Sequence, residues 1–319
     1  MIEVRQLSKR FGAIVAVDQV SFAVDRGGVV GFLGPNGAGK TTTIRILTCY
    51  HPATSGWATV GGHDVFTESM AVRRRIGYLP ESAPLYPEMR VREFLQFRGK
   101  LRGMAAAQRT KAIERVAERC WLTEFIGRPI GQLSKGMRQR VGLADAIMHE
   151  PDVLILDEPT IGLDPAQIRE TRKLIQQLGH DHTVLLSSHI LSEVEQVCTR
   201  AIIIAMGRIV AQGAPQELRS QFSSTGRFSA EIKGPRAEVE KAIRALPAVA
   251  KVSTQEADVW LRLSIETKDQ QDPREDVFRL VASKGWSLRE IRVEGATLED
   301  FFVKVTAEQQ QRLRGRQDR

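Results

Sequence analysis

Short apolar runs rich in β-branched residues recur along the N-terminal part of the chain, each followed by a polar or glycine-rich turn. VVGFLG at 29–34, VLILD at 153–157 and TVLLSS at 183–188 are nearly continuous in their hydrophobicity. That is the pattern of strands buried on both faces of a parallel sheet with helices on either side. Between the first two runs lies a stretch of different character, about 85–150, with helical spacing and few β-branched runs. VREFLQFRGKLRGM and AAQRTKAIERVAERCWL belong to it, and it predicts a helical insertion. AIIIAMGRIVAQGA at 201–214 predicts two strands around a Met206-Gly207 turn.

QFSSTG at 221–226 is small and polar, and the expected domain boundary falls there, giving one domain over 1–220 and another over 221–308. The second has its own rhythm. RFSAEIKG predicts a strand, PRAEVEKAIRALPAV a helix opened by Pro235, and KVSTQ and DVWLRLSIE two more strands. DPREDVFRLVASKG then predicts a helix closed by Gly285, and WSLREIRVE a fourth strand. Strand-helix-strand-strand-helix-strand is the ferredoxin-like α+β order. A last helix is expected over TLEDFFVKVTAE at 297–308, with 309–319 a disordered tail.

A chain of 319 residues with 42% hydrophobic content can bury more than one core. Yet no apolar run reaches the 18 or so residues that a membrane-spanning helix needs, and the N-terminus lacks a secretory pattern, so the expected location is cytoplasmic. Cys49, Cys120 and Cys198 show no CxxC spacing and are expected to be packing residues. Of the net charge of +8, residues 73–140 supply more than the whole, with 16 Lys or Arg against 6 Asp or Glu. Such a segment can meet nucleic acid, anionic headgroups or an acidic partner, or it can be a solvated helical surface.

The strongest chemical motif is GPNGAGKTT at 34–42, directly after a predicted strand and before a helical stretch. Gly34, Gly37 and Gly39 let backbone N–H groups turn inward around a phosphate, with Pro35, Asn36 and Ala38 completing the cradle. Lys40 is placed for the β- and γ-phosphates of ATP, Thr41 for Mg²⁺, and Thr42 closes the motif. VLILDEPT at 153–160 ends in two carboxylates: Asp157 is the candidate for orienting Mg²⁺ and Glu158 the candidate general base. QLSKGMRQR at 132–140 places Ser134 as a helix N-cap, with Gly136 beside it, as a second anion-binding helix start.

Taken in order, these motifs resemble the ATP-binding subunit of ATP-binding cassette (ABC) transporters, whose signature LSGGQ stands here as LSKGM, with Lys135 and Met137 departing from the usual Gly and Gln. The resemblance covers residues 1 to about 220. It implies an α/β P-loop NTPase fold, with a mostly parallel sheet and a helical insertion, and it implies further site residues. His189 resembles the switch histidine at the γ-phosphate, Asp164 the acid of the D-loop, and Phe11 the aromatic that stacks on adenine. Glu81 in IGYLPES stands where the family has a Gln that links Mg²⁺ to the membrane partner. YLPE, LSKG and the terminal GATLEDFFVKVT together look like ATPases of ABC-2 type exporters.

The resemblance implies an ATPase working as a homodimer, or with a closely similar subunit, on the cytoplasmic side of the cell membrane. Two copies would face head to tail, with the Ser134 loop of one over the ATP held by Lys40 of the other, and a separately encoded integral-membrane permease as partner. No nucleic-acid partner is expected. The alternative is a non-transport ABC ATPase acting on ribosome or nucleic acid, though those chains generally carry two cassettes or a long heptad insertion, and neither is present here. For the C-terminal domain the expectation is a bracing or dimerising role.

Overall fold

A computed structural model describes residues 1–220, 226–268 and 271–293, with positions 299, 302–303 and 305–307. Half of the predicted last helix over 297–308 therefore falls outside the described residues, its described positions being helical, and the tail at 309–319 falls wholly outside them.

The chain opens with β1 (Ile2–Phe11), β2 (Ile14–Val24) and β3 (Val29–Leu33), then α1 (Lys40–Leu47), β4 (Ser55–Val60), β5 (His63–Asp64), α2 (Ser69–Arg75) and β6 (Ile76–Leu79). Three helices follow, α3 (Val91–Leu101), α4 (Ala106–Arg119) and α5 (Lys135–Ile147). The order then alternates through β7 (Val153–Asp157), α6 (Pro165–Asp181), β8 (Thr183–Ser188), α7 (Leu191–Val197), β9 (Arg200–Ala205), β10 (Arg208–Gly213) and α8 (Pro215–Ser220).

Five of these strands form a parallel sheet in the order β9-β3-β8-β7-β6, with β10 antiparallel at its edge. Every residue of β3, β7 and β8 is buried, which is why their sequences are apolar throughout. β1, β2, β4 and β5 form a separate antiparallel sheet. One core joins the two: Ile2, Val4 and Phe22 from the antiparallel sheet meet Phe32, Ile155 and Ile202 from the parallel one, with Ile44, Ile46 and Leu47 of α1 among them. The parallel strands all run the same way, so the carboxyl ends of β3 and β7 and the start of α1 gather at one edge, the position at which α/β sheets bind ligands.

Met1–Pro215 belongs to one compact unit and Gln216–Lys304 forms the second, so the division falls a few residues before the boundary expected at 221. The second unit contains β11 (Arg227–Lys233), α9 (Arg236–Arg244), β12 (Val249–Ala257), β13 (Trp260–Thr267), α10 (Arg274–Ser283) and β14 (Ser287–Val293). Its sheet is antiparallel, in the order β12-β13-β11-β14. With the two intervening helices, this is the βαββαβ order expected from the sequence. Val239, Ile243, Val277 and Val281 of the helices pack on Phe228, Ile232, Leu263 and Ile265 of the strands as a core of its own.

The basic excess over 73–140 is much reduced by acids from the following segment. Arg75 pairs with Asp152, Arg98 with Asp145, Arg115 with Glu150, Arg119 with Asp181, and Arg140 with Glu170. Cys120 and Cys198 are buried and Cys49 is half-buried, all as free thiols.

Candidate functional site

The loop between β3 and α1 wraps a cavity of about 390 Å³ lined by Pro35 to Thr42, Ala16, Glu81, Glu158, Ile161 and His189. Its glycines are required at two points. A Cβ on Gly34 would stand 2.4 Å from the Ile204 carbonyl oxygen, and one on Gly39 would stand 2.6 Å from that of Ala16. Gly39 also holds φ at +105°, which L side chains rarely adopt. The loop thus packs backbone against backbone on β2 and β9, leaving its amides at the mouth of α1.

Lys40 opens α1 and folds back over this loop. Its Nζ donates to the Gly34 carbonyl at 2.7 Å and to that of Pro35 at 3.3 Å, and it lies 3.7 Å from Glu158 Oε1. Both charges are nearly buried, at 6% and 8% side-chain exposure, so their attraction is screened little by solvent. Thr41, Thr42 and Glu81 line the same cavity.

The two carboxylates at the end of β7 are held differently. Asp157 is buried, and its Oδ1 accepts the Ser187 hydroxyl at 2.5 Å while Oδ2 has no hydrogen-bond partner among the described residues. Burial and the negative charge of Asp157 push the neighbouring Tyr78 phenol up to about 12. Glu158 turns away from the strand with φ at +50°. Its N–H donates to the Ser187 Oγ at 3.1 Å and to the Ser187 carbonyl at 3.2 Å, and its Oε2 lies 2.8 Å from His189 Nδ1. A neutral imidazole meeting a carboxylate at Nδ1 carries its proton there. Ser187 thus touches the neighbouring acids on both sides. Sequence reasoning passed over it, although a hydroxyl at the end of a buried strand was the available signal.

Not every expected residue joins this cavity. Ser134 caps α5, its Oγ accepting the Met137 N–H at 3.2 Å, but neither Ser134 nor Gly136 is among the cavity-lining residues. The Lys135 side chain lies across Gly162, where a Cβ would meet its Nζ at 2.2 Å, and a Cβ on Gly136 would meet Gln167 Oε1 at 2.2 Å. The signature helix start is therefore packed on Gly162 and on Gln167 in the first turn of α6 in its own chain. Asp164 caps α6, accepting the N–H groups of Ala166 at 3.0 Å and Gln167 at 2.9 Å. Phe11, at the end of β1, is 44% exposed and does not line the cavity; Lys9 Nζ sits 5.0 Å from its ring centre, and the His51 ring meets it edge-on.

The ABC transporter family profile matches residues 17–161, the stretch from β2 through the acidic strand end. Linearmycin resistance ATP-binding protein LnrL of Bacillus subtilis is 32% identical over 309 residues, spanning 96% of this chain and 98% of that protein. The chain belongs to the ABC transporter family. It is an ATP-hydrolysing, ATP-binding subunit of a transporter. Nod factor export ATP-binding protein I of Burkholderia lata is 34% identical across 97% of this ABC subunit and 98% of its own length. A solved ATP-binding subunit of an ABC transporter superposes with a TM-score of 0.64 at 31% identity, covering 70% of this chain and 93% of that one.

Proposed function

We infer that this ABC subunit hydrolyses ATP at a site shared between two head-to-tail copies and drives export through a separately encoded membrane permease. The observation that carries the reading is the division of the site. Lys40, Glu158 and His189 face one cavity, with Glu158 3.7 Å from Lys40 and 2.8 Å from His189, whereas the Ser134 helix start is absent from it. A second copy would bring its own Ser134 and Gly136 to the exposed side of the triphosphate.

In this reading the loop from Gly34 to Thr42 binds the phosphates through its amides, and Lys40 leaves its own carbonyls for the β- and γ-phosphate oxygens. Glu158 takes the proton of the attacking water, and His189 holds the carboxylate at Oε2 so that Oε1 stays available. The oxygens that would hold Mg²⁺ are Thr41, Asp157 and Glu81. Asp157 does not itself line the cavity, but it adjoins Glu158, which does, and its buried Oδ2, unpartnered among the described residues, is an oxygen suited to a cation; a site that also uses phosphate oxygens needs no cluster of protein carboxylates. When bound, Mg²⁺ neutralises phosphate charge. Phe11 is assigned to the adenine face of the same nucleotide.

A groove of about 760 Å³ lined by Arg45, Tyr50, Arg73, Phe94, Arg98 and Arg102, among others, supports a permease contact on the helical side. Among the described residues no helix is long and apolar enough to cross a membrane. In this reading the membrane path belongs to another chain, and this one sits at the cytoplasmic face. The names of the relatives favour export. The non-transport alternative is weakened, because five of the segment's arginines pair with acids of the same chain. The C-terminal domain, expected from the sequence over 221–308 and corresponding to the second compact unit at Gln216–Lys304, is assigned a bracing or dimerising role.

Steady-state phosphate release tests the assignment. Lys40→Ala and Glu158→Gln should each abolish turnover, and a Glu158→Gln protein that still releases phosphate at the wild-type rate would overturn it.

A further inference from the structure

Glu193 is a buried carboxylate on α7 that plays no part in the chemistry above. It is 2% exposed, yet both of its oxygens are engaged. Oε1 pairs with Arg172 of α6 at 3.2 Å, and Arg172 in turn donates to Gln196 at 2.9 Å. Oε2 accepts two hydroxyls, Thr160 Oγ1 at 2.8 Å and Ser188 Oγ at 3.2 Å. Those two residues are themselves buried, at 4% and 0% exposure.

The placement of the two hydroxyls gives the cluster its meaning. Thr160 lies two residues after Glu158, and its carbonyl receives the Leu163 N–H, which starts the turn leading to Asp164. Ser188 immediately precedes His189, and its Oγ also accepts the Ile190 N–H at 3.0 Å. One oxygen atom therefore anchors both segments whose side chains meet as the Glu158–His189 pair. Neither segment can shift alone without breaking a hydrogen bond to a buried charge, which is among the costlier interactions to break.

We propose that Glu193, charge-balanced by Arg172, is a positioning residue that sets the separation of Glu158 and His189 by clasping Thr160 and Ser188 on a single carboxylate oxygen. Glu193 does not itself line the phosphate cavity. Because Thr160 also begins the loop that carries Asp164, displacement of that loop is transmitted to the base and the histidine together. The inference rests on the roles assigned to Glu158 and His189.

Phosphate release by the purified full chain, measured against ATP concentration, tests it in Glu193→Ala, Thr160→Val, Thr160→Ser, Ser188→Ala and the Thr160→Val/Glu193→Ala double variant. Misplacing a catalytic pair by about 1 Å costs on the order of 100-fold. Glu193→Ala and Thr160→Val should therefore lower kcat by about 10- to 100-fold with KM for ATP unchanged. Thr160→Ser should keep kcat, and the double variant should be no slower than the worse single one. If Glu193→Ala fails to fold, the Thr160 and Ser188 variants carry the test. A kcat at the wild-type level in Thr160→Val and Ser188→Ala, with only a lowered melting temperature, would overturn the proposal. Failure of the underlying assignment reads differently, since Glu158→Gln would then turn over regardless of what the clasp variants do.

Discussion

Replacing Ser187 by Ala removes a hydroxyl that touches both acids at the end of β7. The Asp157 carboxylate loses its hydrogen-bond donor at 2.5 Å and, with Oδ2 already unpartnered, is left buried without a hydrogen bond. Hydrogen bonds to a charged group are worth about 1.5–3 kcal/mol, and an orphaned buried charge costs at the upper end. The hydrogen bond from the Glu158 N–H to the same hydroxyl also disappears, but that N–H still reaches the Ser187 carbonyl at 3.2 Å and is not left unsatisfied. The expected fall in unfolding free energy is thus about 2–3 kcal/mol. It should be read from urea titrations of the isolated subunit at neutral pH, with the slope of the transition unchanged. Phosphate release should fall in parallel, because an Asp157 free to rotate no longer presents one oxygen in a fixed direction. Ser187→Thr, which retains the hydroxyl, should recover part of the rate. A Ser187→Ala protein matching wild type in both assays would refute the view that this hydroxyl organises the two carboxylates.

Further outcomes are expected at other positions. Gly34→Ala should abolish ATP binding in a fluorescent-nucleotide titration, because the added methyl would sit 2.4 Å from the Ile204 carbonyl and force the loop off β9. Burial pushes the Cys120 and Cys198 thiols up to about 12. At mildly alkaline pH, native protein should therefore spare both from iodoacetamide, and the number of labels should reach three only after denaturation, as mass spectrometry would show. Burial, aided by the nearby Arg102 charge, pushes the His149 imidazole down to about 4 from its ordinary 6.5. The unfolded chain therefore takes up a proton between those values that the folded chain refuses, and stability should fall as pH drops through that window. The His149 contribution to this fall should reach about 2 kcal/mol by about pH 5 and be absent from the pH dependence of His149→Gln in chemical denaturation.

The parts of the fold that could be read from sequence were those where one force dominates. β3, β7 and β8 are buried on both faces, so their composition alone marks them. The second unit was legible because its helices begin after Pro235 and Pro273 and one is followed by Gly285 at φ +69°. The antiparallel sheet of β1, β2, β4 and β5 was not. Its strands are half-exposed, and register shifts between Val4 and Arg10, with positive φ at Gln6 and Gln19, break the two-residue alternation that would have announced them. The phosphate loop and the Asp157-Glu158 pair were visible because their spacing is local. Ser187, Thr160 and Glu193 were not, since a hydroxyl or an acid becomes informative only when distant strands bring it beside a second polar atom. The packing of the Lys135 side chain on Gly162 is likewise something that linear spacing does not carry.

The most direct test of the account is the mass of Glu158→Gln in light scattering with saturating ATP and Mg²⁺, beside a Ser134→Arg/Glu158→Gln variant. A site completed by the Ser134 loop of a second copy predicts twice the mass of one chain for the first protein and a monomer for the second. A monomer in both, with nucleotide bound, would contradict it.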